Sequence, residues 1–321
     1  MNPQSFFRRF VPVLFLVYVA GAGAVGYPMP SADDDLIGEV RLARASRDET
    51  LLDMARMYGI GQEEIRLANP AVDRWLPKEG EAVMIPSRHV LPDARRQGLV
   101  LNLPEMRVYH FRPGRGGRAG TVDTYPASIG RMDWKTPLGG ARIIRKQRNP
   151  SWRPPASVRQ EAAAAGEALP DVMPPGPENP LGTHALRLNL PGYLIHGTNK
   201  PYGVGMRVTH GCVRLLPEDI SELFERVQVG TPVQIVNQPV KTGWQDGVLF
   251  VEVHPPLDED ETPRDDFLRF TLERIYEVLQ ERPAVLDGRA LRQAVAEMHG
   301  VPVAVSRPGV PGRKLDNPMF R

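Results

Sequence analysis

Cysteine is nearly absent. Cys212 is the only one in 321 residues, which excludes any internal disulfide and leaves a free reactive thiol, an inert buried one, or half of an intermolecular bridge. Charge of one sign is lacking too. Forty basic and 38 acidic residues give a formal net charge of +2, so there is no general electrostatic attraction to nucleic acid. Beyond the N-terminus no apolar run is long enough to span a membrane. The glycine-rich stretch Pro113–Gly120 lacks the Gly-Lys-Ser/Thr ending of a phosphate-binding loop and reads as a turn. One cysteine with two histidines leaves a structural zinc site a ligand short, and no metal or other cofactor is expected.

What the chain has in quantity is proline and glycine, 33 and 30 residues, gathered between strand-like and helix-like runs. Its length accommodates two or three domains. Residues 1–26 have the layout of a signal peptide. Arg8 and Arg9 precede the apolar run Phe10–Ala20, and small-residue patterns follow at Ala20-Gly21-Ala22 and Ala22-Gly23-Ala24. An uncleaved anchor is the alternative, but the run is short of the roughly 20 residues a spanning helix needs and contains Pro12. No cysteine follows it, which excludes a lipoprotein anchor. Contact with a membrane is expected only through this segment.

Residues 38–87 form a small module. Glu39–Leu42 alternates like a strand, Thr50–Tyr58 has helical spacing with Thr50 as N-cap and Gly59 as stop, a second short helix runs over Glu63–Ala68, and Ala82–Pro86 returns as a strand. The segment resembles a LysM module through Thr50-Leu51, Met54-Ala55, Tyr58-Gly59, Leu67, Asn69-Pro70, Gly80 and Ile85-Pro86. The resemblance implies a β-α-α-β fold and affinity for N-acetylglucosamine-containing glycans, with a mere spacer as the alternative. Where that family has Gly-Asp-Thr, this chain has Asp48-Glu49-Thr50.

Residues 96–237 read as a mostly β domain, with strands at Leu99–Leu103, Met106–Phe111, Thr124–Ile129, Ala141–Arg145, Ala185–Leu188 and Tyr193–Ile195, and a tight turn at Thr136–Gly139. A proline-crowded insertion at 149–183, with one alanine-rich helix over Ser157–Gly166, reads as a lid or binding loop. Trp152 near its start either touches a ligand or pins the loop. Residues 240–321 read as a mixed appendage: a strand at Gly247–Val253, helices over Phe267–Leu279 and Asp287–His299, and a loose tail.

The chemistry gathers in two motifs, His196-Gly197-Thr198 and Thr209-His210-Gly211-Cys212-Val213-Arg214. If the second is a strand, His210 and Cys212, two apart, face one cleft, with Arg214 beside them. A neighbouring imidazolium lowers a thiol pKa from about 8.5 to about 4–7 and makes the thiolate dominant. Gly211 allows close backbone approach, and the N–H groups of Gly211 and Cys212 suit an oxyanion hole. Arg214 offers a fixed cation to a substrate carboxylate or to a structural one. A lone cysteine is often a small buried hydrophobe, but its place in this pattern favours a nucleophile.

The constellation resembles the YkuD-type L,D-transpeptidase domain, over roughly residues 96–237 and including Thr136-Pro137-Leu138-Gly139. The order of signal peptide, LysM, YkuD domain and appendage is similar to that of proteobacterial periplasmic enzymes of the family. The resemblance implies a β-sandwich catalytic domain. It makes Cys212 the nucleophile, His196 its base, Gly197 the residue whose carbonyl orients that base, His210 a second active-site histidine, Gly211 a shaper of the oxyanion site and Arg214 the motif arginine. Thr198 and Thr209 fall where a hydroxyl can meet substrate. The implied substrates are peptidoglycan glycan strands and stem peptides, with attack on the meso-diaminopimelate–D-Ala bond. The acyl group then passes to another diaminopimelate amine in a 3→3 crosslink, to the C-terminal lysine of an outer-membrane lipoprotein, or to water. Carbapenems are expected to acylate Cys212. The alternatives are a non-catalytic wall-binding LysM protein and a carboxypeptidase or amidohydrolase of the same fold.

Overall fold

The computed structural model describes residues 25–114, 116, 119–131, 134–260 and 266–307. Most of the segment read as a signal peptide, the centre of the Pro113–Gly120 turn and the expected C-terminal tail beyond residue 307 lie outside the described residues. The first part of the chain carries β1 (Val25–Pro28), β2 (Leu36–Gly38), β3 (Arg41–Arg44), α1 (Leu51–Met57), α2 (Gln62–Ala68), β4 (Ala82–Ile85) and β5 (Arg88–Val90). Strands β3 and β4 pair antiparallel around the two helices. Helix α1 starts at Leu51 because Thr50 caps it: the Thr50 hydroxyl accepts from the Asp53 N–H, and the Asp53 carboxylate accepts from the Thr50 N–H. Leu51, Met54, Ile60, Ile65, Val83 and Ile85 close a small core beneath it.

The central domain contains β6 (Gly98–Asn102), β7 (Arg107–Arg112), β8 (Thr121–Gly130), β9 (Gly139–Arg148), α3 (Ala156–Ala164), β10 (His184–Leu188), β11 (Leu194–His196), β12 (Arg207–Thr209), β13 (Val213–Leu215), α4 (Pro217–Arg226) and β14 (Pro232–Val236). Two layers share the ten-residue strands β8 and β9. One layer runs β9–β14–β6–β7–β8 and the other β8–β13–β11–β10–β9. Alternating side chains from both layers, Leu99, Leu101, Tyr125, Ile129, Ile143, Leu186, Ile195 and Val213 among them, meet Ile220, Leu223 and Phe224 of α4 in one core. The fold is mainly β. Strand β1 pairs with Thr121–Thr124 of β8, so Val25 and Gly26, placed within the export segment by sequence, belong to a strand.

The appendage contains β15 (Val240–Gln245), β16 (Val248–Val253), α5 (Phe267–Glu281), β17 (Val285–Leu286), α6 (Gly288–Glu297), β18 (Val303–Ala304) and β19 (Ser306–Arg307). Trp244, Leu249 and Val251 pack with Phe267, Ile275, Leu291 and Val295 in a core of their own. Among the described residues no helix is long and apolar enough to cross a membrane.

Buried charges join the three parts. Arg107 makes two hydrogen bonds to the Glu64 carboxylate, at 3.0 and 2.7 Å, and one to Thr124 Oγ1 at 3.0 Å. The N–H groups of Gln62 and Glu63, at the start of α2, donate to the Val204 and Gly205 carbonyls. Lys241 Nζ lies 2.9 Å from Glu105 and 2.8 Å from Glu252, and donates to Val90 O at 2.7 Å. Burial by itself would raise the Glu105 carboxyl, yet the Lys241 ammonium holds it below the usual carboxylate range. The two buried acid-and-histidine groupings here, Glu64–His89–Glu105 and Glu105–Glu252–His254, have the spacing of metal ligands. Arg107 and Lys241 already bring positive charge to their carboxylates.

Candidate active site

Strands β11 and β13 run parallel, with Ile195 opposite Val213 and His196 opposite Arg214. Ile195 and Val213 enter the core, so His196 and Arg214 share the opposite face. On the other side of β13, Ser128 of β8 lies opposite Arg214. Cys212 sits just before β13, half-buried, with its S–H directed at Gly192 O at 3.6 Å.

The expectation that His210 and Cys212 face one way along a strand is not met. Residues 210–212 are a loop between β12 and β13, and Gly211 turns it with φ +96°. A Cβ there would lie 3.0 Å from the Tyr193 ring in a left-handed conformation, so the position requires glycine. His210 instead donates from Nε2 to Glu161 Oε2 at 2.7 Å and packs edge-on against Trp134. Glu161 comes from α3 of the insertion and also holds Arg131 at 2.9 and 3.0 Å. These two partners pull its carboxyl down to about 2.

His196 is 5% exposed, and its Nδ1 donates to Gly197 O at 2.6 Å. A carbonyl only accepts, so Nδ1 carries the proton and neutral Nε2 keeps a lone pair. Burial first, and the Arg214 cation second, push His196 down to about 4. Burial also raises the Cys212 thiol, although the Leu194 N–H and Arg214 act the other way. The expected thiolate–imidazolium pair is therefore corrected. At neutral pH the resting groups are a thiol and a neutral imidazole, because desolvation outweighs the local cation.

Other expected residues take up backbone work. Thr209 and Thr198, read as substrate contacts, are 2% and 4% exposed. The Thr209 hydroxyl donates to Cys212 O at 2.6 Å, and Thr198 Oγ1 accepts from the Lys200 N–H at 2.9 Å. Trp152 pairs backbone to backbone with Met173, joining the two limbs of the insertion. The Gly197 N–H donates to His184 O, and a Cβ on Gly197 would press on Ile220 at 3.0 Å.

Sequence reasoning gave Thr136 only as the start of a tight turn and of a family motif, with no role at the site, and passed over Asn179. The buried Thr136 hydroxyl donates to Gly211 O at 2.9 Å and accepts from the Gly130 N–H at 3.1 Å. A trans peptide is planar, so fixing the Gly211 carbonyl turns the Cys212 N–H the opposite way. Asn179, fully buried, closes the base of the insertion through Pro150 O and the Leu181 N–H. Its only sequence signal was its place between prolines in a long loop.

A thiol, a neutral imidazole with a free lone pair, a cation coupled to both and an amide of fixed direction are equipped for acyl transfer through a thioester. The comparisons agree with that class. A model of the YkuD family, the L,D-transpeptidase catalytic domain, matches residues 96–235. Bacterial relatives named "Probable L,D-transpeptidase" are similar along most of the chain. YbiS of Escherichia coli is 39% identical over 90% of this chain and 94% of its own. YcfS of the same organism is 37% identical over 94% of each chain. ErfK/SrfK of Salmonella typhimurium is 35% identical over 94% of this chain and 98% of its own. The chain belongs to the YkuD family of L,D-transpeptidases.

Proposed function

We propose that this protein is a peptidoglycan L,D-transpeptidase of the periplasm, with Cys212 as nucleophile and His196 as base. The observation that carries the reading is the neutral His196, its Nδ1 tied to Gly197 and its strand in register with the strand that follows Cys212. As the sulfur attacks the carbonyl carbon of the meso-diaminopimelate–D-Ala bond, His196 Nε2 takes the thiol proton. The Cys212 N–H, directed by the Thr136–Gly211 contact, supports the oxyanion. Collapse breaks the C–N bond, the imidazolium returns its proton to the departing D-Ala amine, and the acyl group stays on sulfur. An acceptor amine then attacks, passes its proton to His196, and displaces the thiolate, which recovers that proton.

The acceptor is a second diaminopimelate or a lipoprotein's C-terminal lysine. The insertion at 149–183, fastened to the Cys212 loop through Glu161 and His210, acts as a lid that keeps water from the thioester. The module at 38–87 holds the enzyme on glycan and raises the local stem concentration, with Trp75, 53% exposed, as a sugar-stacking surface. Export ends with cleavage at one of the small-residue patterns ending in Ala22 or Ala24, and either leaves Val25–Pro28 in the mature chain to pair with β8.

The test is incubation of the mature protein, and of Cys212→Ala, with tetrapeptide muropeptides, with and without a lysine-terminated peptide, read by mass spectrometry. Cys212-dependent loss of D-Ala with dimer or conjugate formation is expected. Turnover in Cys212→Ala would overturn the mechanism, and loss of D-Ala alone would make the enzyme a hydrolase.

A further inference from the structure

Two arginines stand against each other on the cleft face without a counter-charge. Strand β10 pairs with β11 so that Ala185 lies opposite His196 and Arg187 opposite Leu194. Strand β9 then places Gln147 opposite Ala185 and Arg145 opposite Arg187. Leu194, whose N–H acts on the Cys212 sulfur, lies between the nucleophile and this pair. One line across the sheet therefore runs Cys212, Leu194, Arg187, Arg145. Two strand spacings, roughly 10 Å, separate the backbone of the thiol from that of Arg187.

A directly opposed pair of like charges destabilises a sheet, and here the regular ladder from His184 to Arg187 holds one. Leu188 lies opposite Ile143, whereas Arg187 lies opposite Arg145, so a bulge at Ile144 shifts the pairing by one residue. The bulge lies beyond the arginine pair, which closes the unbroken part of the ladder. Neither guanidinium has a hydrogen-bond or ion-pair partner among the described residues. Both line a groove together with Gln147, Ser151 and Leu194, and with Pro150 and Leu181 from the two limbs of the insertion. Two opposed, solvent-exposed guanidinium groups in a groove that reaches the nucleophile's neighbour are placed to take an anion.

We propose that Arg145 and Arg187 form a carboxylate-binding subsite that reads a free carboxylate of the stem peptide beside the acylated centre. The subsite deepens the transpeptidase reading and rests on it for the identity of the ligand. Guanidinium pairs suit a carboxylate because their planar N–H forks match its two oxygens. Tetrapeptide stems present three such groups near the scissile bond, the glutamyl α-carboxylate, the second carboxylate of diaminopimelate and the terminal carboxylate of D-Ala.

The experiment is a binding measurement that needs no turnover. Tetrapeptide binding is measured by calorimetry on the mature Cys212→Ala protein, with and without Arg145→Gln and Arg187→Gln, and on a double Arg145→Lys/Arg187→Lys variant. Four ligands are used: the free tetrapeptide, one amidated at the glutamyl carboxylate, one amidated at diaminopimelate and one amidated at the terminal D-Ala. Loss of both arginines should weaken the free ligand by roughly 10- to 100-fold, and the lysine variant should recover part of that. Amidating the recognised carboxylate should weaken binding to the arginine protein equally and cost nothing further once the arginines are gone. Unchanged affinity in the Gln variants, or losses that add, would overturn the subsite. Absence of turnover in the Cys212 protein, with these affinities intact, would instead count against the transpeptidase reading alone.

Discussion

Replacing Arg214 by methionine removes a cation that acts on base and nucleophile together. His196 stands at about 4 against an ordinary 6.5, equivalent to about 3 kcal/mol against the imidazolium. Burial is the larger cause and Arg214 the second, so Arg214→Met should raise the histidine value part of the way, leaving it below 6.5. The same change should raise the thiol further, because Arg214 favours its thiolate. Two pH profiles separate these effects. The acid limb of kcat/KM should lie at about 4 in the parent and move upward in the variant. Alkylation of Cys212 by iodoacetamide should show its inflection above the ordinary thiol range, and higher still in the variant. Stability has a defined sign as well. The unfolded chain binds the additional proton between pH 6.5 and about 4, so this contribution is complete above 6.5 and is lost as pH falls through that window. A parent alkylation profile with its inflection below 7, or an acid limb that moves downward in Arg214→Met, would refute the neutral pair and restore the thiolate–imidazolium one.

Glu64→Gln should destabilise the protein by about 3–5 kcal/mol, because it leaves the Arg107 guanidinium charged and buried against the N-terminal module; urea denaturation reads the change, and a loss below 1 kcal/mol would mean that water reaches Arg107. Thr136→Val keeps the side-chain shape but frees the Gly211 carbonyl, and kcat should fall roughly tenfold. Crystallography or thermal melting of that variant should show the fold unchanged, and an unaltered kcat would remove Thr136 from the positioning of the Cys212 amide.

The two motifs were legible because local chemistry writes itself into short spacings. The alternation of Leu99–Leu103 and Ala185–Leu188 showed strands for the same reason, since a period of two is a local property. Helix α4 was legible but passed over: Pro217 at its first turn is followed by Ile220, Leu223 and Phe224 at helical spacing. The strand rule misled at His210 and Cys212, where Gly211 breaks the alternation the rule assumes.

By itself the sequence determined the mainly β composition of the central domain, the cap on α1 and the pairing of one thiol with an upstream histidine motif, because each depends on neighbours within a few residues. The tertiary structure alone decided the protonation states, because burial of His196 and Cys212 comes from strands and loops distant in the chain. It also decided which charges found partners. Arg107 met Glu64 and Lys241 met Glu105 and Glu252, while the pairing of β9 with β10 left Arg145 facing Arg187. Register and desolvation are sums over long-range contacts, and no local pattern of residue types encodes them.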